Sequence, residues 1–257
     1  RATIAKENGT LDIAEEFLKS AVDKAVEQKC EGAQCASRDI YAVKLRIKRA
    51  ETLIDLFRAS KKTNPTDAKQ KSTEALSVLD NVIESVSKKK SNAIPVTDEV
   101  VAKAHLLRGN LYYASSEMRM AHADFKQALA LDKFNTDIKI SYATSLIQSK
   151  RIREAKTLLN SVVKKDRFHA LANYQLARIA ERQNDRKARF AHLSRAVKSG
   201  GSEIPEAHRE LADLYWLKNT KENKEQAKKH YRQYLDQYQK ANSTRPSDAD
   251  EVERKLR

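Results

Sequence analysis

The sequence returns on itself every 34 residues, and few features restrict a fold more tightly. Sliding the segment GNLYYASSEMRMAHADFKQALALD, residues 109–132, forward by that interval brings side chains of similar size onto each other in four phases. Gly109, Ala143 and Ala177 share the first, and Ala121 and Ala155 the second. Phe125, Leu159 and Leu193 share the third, and Ala128, Val162 and Ala196 the fourth, while Asp132 and Asp166 close two units. Small residues at fixed positions let two helices cross closely, and a bulky one between them fills the gap that stacked helix pairs leave. The 257 residues hold only 5 Gly and 4 Pro, so the punctuation typical of β proteins is missing and long helices are expected. The fold class predicted from these features is all-α.

The same residues resemble the tetratricopeptide repeat family, whose 34-residue unit is a helix–turn–helix with small residues at its crossing points. The resemblance implies a right-handed α-solenoid of antiparallel helix pairs. Its clear units fall at 102–135, 136–169, 170–203 and 205–239, the last with extra residues in the turn KNTKEN. Upstream, a partial repeat is expected over 1–37, with a turn at Asn8-Gly9, and an extended, degenerate repeat over 38–97. A linker and a capping helix with Ser247 as its N-cap are expected over 240–257. The whole reads as one superhelical domain. Because the chain starts at Arg1 inside a repeat, further domains of a parent chain are expected before it. Three residues depart from the family pattern: Lys133 and Arg167 replace the closing proline, and Arg189 the second-helix alanine.

No catalytic arrangement stands out. The six histidines, at 105, 122, 169, 192, 208 and 230, show no HExxH spacing, and no phosphate-cradling or nucleophile-elbow motif occurs. The expectation is a protein that is not an enzyme and takes no cofactor and no metal. No apolar run is long enough for a membrane span, and the chain opens on no charged-then-apolar leader. Cys30 and Cys35, in KCEGAQCA, read as loop residues between two helices: free thiols, or a small disulfide. That choice leaves the compartment open between the cytoplasm and a periplasm or secretory lumen.

What the resemblance implies about binding is more specific. In this family the first helices line a concave surface, contacting ligands through positions 2, 5, 9 and 12 of each unit. The residues so placed include Leu106, Asn110 and Tyr113, then Ile140, Thr144 and Ile147, then Tyr174 and Arg178, then Asp213 and Trp216; Arg182 adds a basic neighbour. Family members that grip a peptide's terminal carboxylate carry a lysine where Leu106 stands, so only Asn110 fits that pattern. The expected ligand is a peptide or partner helix bearing apolar and acidic residues, which makes the chain an interaction scaffold. The competing reading is a basic polymer-binding module for nucleic acid or an anionic envelope component. Lys and Arg number 50 against 35 Asp and Glu, a net +15, and residues 136–203 alone carry 15 basic against 6 acidic residues. Few aromatic residues remain free of packing phases to stack on bases, which weighs against nucleic acid.

Overall fold

The computed structural model describes residues 10–28, 33–61, 63–88, 97–199, 204–242 and 244–257. Among them lie twelve α-helices and one short 3-10 turn, and no strand. By contacts the chain separates into two units, Arg1–Ser145 and Leu146–Arg257.

The first unit contains α1 (Leu11–Glu27), α2 (Ala33–Ser60), α3 (Pro65–Lys88), α4 (Asp98–Ala114), α5 (Met118–Leu131) and most of α6 (Thr136–Gln148). Helix α1 buries Ala14, Leu18, Val22 and Ala25, a stripe at helical spacing, and its Glu15 accepts from Arg49 Nε at 2.7 Å. At 28 and 24 residues, α2 and α3 are longer than a family hairpin needs. Their core joins Val43, Ile47, Leu53, Ile54 and Phe57 to Ala75, Leu79 and Val82, with Ala104 and Leu111 contributed by α4. Cys35 lies within the first turn of α2 rather than in a loop, because the helix begins at Ala33. Cys30 and the turn at Asn8-Gly9 lie outside the described residues, as does the side chain of Cys35.

Where α4 crosses α5, the small-residue rule becomes quantitative. A Cβ on Gly109 would sit 2.8 Å from Phe125 Cε1 and 2.9 Å from its Cδ1. Phe125 is fully buried and packs 6.0 Å from the ring of Tyr142, so it has no room to withdraw. Helix propensity alone would make Gly109→Ala stabilising by about 1 kcal/mol. Overpacking reverses the sign, and the variant is expected to lose roughly 1 kcal/mol, read as a lower midpoint in chemical denaturation.

In the second unit, α7 (Ile152–Lys165) pairs with the end of α6, and α8 (Ala170–Arg182) is followed by α9 (Arg186–Ala196), which runs into the 3-10 turn Val197–Ser199. Then come α10 (Pro205–Trp216), opened by a proline that pre-sets the first helical φ, α11 (Lys221–Asn242) and α12 (Ala249–Leu256). Ala177, Leu193, Ala196, Ala207 and Leu211 form one core cluster, and Ala212, Ala227, Tyr231, Tyr234 and Val252 another. Arg189, standing where a small residue is usual, turns outward to salt-bridge Glu181 at 2.8 Å and Glu210 at 2.7 Å. At α12 the N-cap is Asp248, not Ser247. Its carboxylate caps nothing and instead accepts from Arg209 Nε and Tyr234 Oη, both at 2.7 Å.

Four turns close their helix pairs in one way. Ser116, Lys150, Asn184 and Asn219 have φ of 66°, 62°, 55° and 54°, the left-handed region that suits glycine. In the first three, the residue after the left-handed one donates back across the turn: Glu117 to Tyr112 O at 2.8 Å, Arg151 to Leu146 O and Asp185 to Ala180 O at 2.9 Å. The left-handed residues themselves donate to Tyr113 O, Ile147 O and Glu181 O. This is the double bond of a Schellman cap, which satisfies carbonyls that a helix end otherwise leaves open.

Candidate functional site

On α4, the spacing of Leu106, Asn110 and Tyr113 puts the three side chains on one face, and each is half-buried. Leu106 packs against the cluster of Ala102, Ala128 and Ile138. Neither the Asn110 amide nor the Tyr113 hydroxyl meets a hydrogen-bond partner among the described residues. Neighbouring positions on the same helix are rigidly held. Asp124 of α5 receives Arg108 Nε at 2.8 Å and Nη2 at 2.6 Å, together with His105 Nδ1 at 2.8 Å. Burial by itself would raise the Asp124 carboxyl, yet these bonds hold it below the usual carboxylate range. Arg108 also reaches Asp80 at 2.5 Å, tying α4 to α3.

The α6 residues behave differently from the expectation. Ile140 and Ile147 are core side chains, 4% and 2% exposed, and so present no apolar surface to a ligand. Thr144 turns its hydroxyl back onto Ile140 O at 2.8 Å.

In the second unit, Tyr174 Oη donates to Glu210 Oε1 at 2.9 Å, and burial pushes its hydroxyl pKa well up. Arg178, half-buried one turn on, meets no carboxylate among the described residues and reaches only Gln175 Oε1 at 3.5 Å. Arg182 donates to Ile147 O at 2.6 Å, which fixes it to the end of α6. Asp213 and Trp216 are taken up by the fold itself. Asp213 pairs with Arg209, accepts from Tyr231 Oη at 2.6 Å and faces Lys255 Nζ at 3.5 Å, while Trp216 packs against Tyr231 and under Lys224. Their partners come from α10 and α11, with Lys255 added by α12.

One pair escaped the sequence reading. His208 Nδ1 and His230 Nδ1 stand 2.9 Å apart, so one must be protonated at that nitrogen and the other not. His230 also stacks on Tyr215, with centroids 5.8 Å apart. The signal available was their placement on the two helices of one repeat, which the separation in sequence hid. Among the described residues no three His, Cys, Asp or Glu side chains converge as metal ligands, and no helix is long and apolar enough to cross a membrane.

Helix pairs crossing at small residues and closed by a left-handed residue at a near-constant interval define an α-helical repeat protein. Residues 112–179 match the family model of the tetratricopeptide repeat. Two solved structures share the fold. PilW, a type IV pilus biogenesis factor, superposes with a TM-score of 0.54 at 16% identity, covering 80% of this chain and 86% of that one. PilF of Pseudomonas aeruginosa gives 0.51 at 17% identity, covering 75% and 78%. No curated protein matches the sequence.

Proposed function

We propose that the protein is a non-enzymatic interaction scaffold that holds a peptide or helix of a partner protein. The observation that carries this reading is the α4 face. A half-buried leucine lies in line with an amide and a hydroxyl that have no partner within the chain's described residues. Both polar groups are open to water, and a bound peptide backbone supplies donor and acceptor in its place for an asparagine amide. The polymer-binding reading has less support. Lys164 and Lys165 are exposed, but they occupy the last turn of α7, where the helix dipole favours cations without any ligand.

Panning a displayed random-peptide library against the full chain tests the proposal. Selected peptides are expected to lose about tenfold or more in affinity for Asn110→Ala and Tyr113→Ala, with circular dichroism unchanged. Peptides that bind both variants as well as the parent chain would refute it.

A further inference from the structure

A pocket of about 360 Å³ opens between the start of α9 and the end of α10, lined by Arg186, Lys187, Phe190, Leu214, Leu217 and Lys218. It involves none of the α4 residues. Its floor is apolar: Phe190 meets Tyr215 edge to face at 5.1 Å, and Leu214 belongs to the same cluster. Leu217 is 70% exposed, which leaves a large aliphatic side chain at the mouth with little to cover it. A single exposed leucine is ordinary, but one continuous with a concave aromatic floor is the arrangement that binding sites use.

The rim is wholly basic. Lys218 Nζ rests 4.4 Å from the centre of the Phe190 ring and 5.5 Å from that of Tyr215, so it is steered across the floor rather than away from it. Arg186 and Lys187 are exposed at the opposite lip. Two other arginines of this unit are paired with acids: Arg189 has Glu181 and Glu210, and Arg209 has Asp248 and Asp213. No ion pair within the described residues involves Arg186, Lys187 or Lys218, and no carboxylate lines the pocket. The first turn of α9 holds no acid, and the N-cap Asp185 beside it is engaged on the Ala188 amide at 2.9 Å.

We infer that this pocket is a second docking site, for an acidic peptide segment of a partner protein that inserts one apolar side chain over Phe190 and against Leu217. The volume suits one such side chain and its backbone, and the three cations match carboxylates on either side of it.

Fluorescence anisotropy on the full chain tests this with a labelled peptide carrying a central leucine between two runs of aspartate and glutamate, and a twin with alanine at the centre. The leucine peptide is expected to bind about tenfold more tightly than its twin. Leu217→Ser should erase that difference, and Arg186→Glu with Lys187→Glu should weaken both peptides about tenfold. All three positions are exposed, so folding is preserved. Tyr113→Ala should leave this binding intact, which separates the site from the α4 face. The inference is overturned if the two peptides bind equally, if Leu217→Ser has no effect, or if a single-stranded oligonucleotide binds in their place with the same dependence on Arg186 and Lys187. Absence of binding up to about millimolar peptide overturns it as well.

Discussion

Asp124→Ala is expected to cost the first unit about 3 to 5 kcal/mol, because it strips the carboxylate from Arg108 and His105 without removing either. Asp124 is 3% exposed and takes a two-pronged contact from Arg108, plus a bond from His105, so water cannot replace what is lost. The measurement is urea denaturation of the variant, followed by amide exchange to show that protection falls in α4 and α5. Adding Arg108→Met should recover part of the loss, since it removes a guanidinium that keeps only the exposed Asp80 as its partner. A variant as stable as the parent would mean that the network contributes nothing net.

The second large effect depends on pH. Burial, with the neighbouring His230 as a lesser cause, pushes His208 down to about 4 from an ordinary 6.5, and burial lowers His230 too. Around the pair stand Tyr215, Gln237, Gln233 and Lys229, none of them an anion that would welcome a proton. A depressed folded-state pKa means that the unfolded chain takes up the proton first. The contribution is therefore complete above about pH 6.5 and is lost as the pH falls towards 4. Between pH 7 and about pH 4.5 the second unit should lose on the order of 2 kcal/mol through His208. Carboxylates titrate in the same range, so the informative quantity is the difference between the parent and His208→Asn. Equal pH slopes for the two would contradict the assignment.

The repeat was legible because steric demands at a crossing admit few side chains, and Gly109, Ala143 and Ala177 announce them whatever surrounds them. What a residue on the first helix of a unit faces was less legible. Tyr113 and Ile147 stand at equivalent positions 34 residues apart, yet an aliphatic side chain gains by withdrawing completely from water and a phenol hydroxyl does not, so Ile147 is core and Tyr113 is half-buried. Asp213 and Trp216 are engaged mainly by Arg209, Lys224 and Tyr231 of their own repeat, with Lys255 of α12 added, and a 34-residue pattern of side-chain size does not encode such polar and ring contacts. Phe190, Leu214 and Leu217 gave no sequence signal as a pocket, because each on its own reads as an ordinary apolar packing residue.

The left-handed turns at Ser116, Lys150, Asn184 and Asn219 have an evolutionary corollary. Each holds a residue less suited to that backbone than glycine, at an exposed tip; Asn184 and Asn219 are close in sequence to the residues that line the pocket between α9 and α10, and Lys150 is not. Selection can therefore adjust the rigidity of the hairpins one at a time by single-letter substitutions, and lineages of such a chain are free to drift in thermal tolerance without any change in their cores.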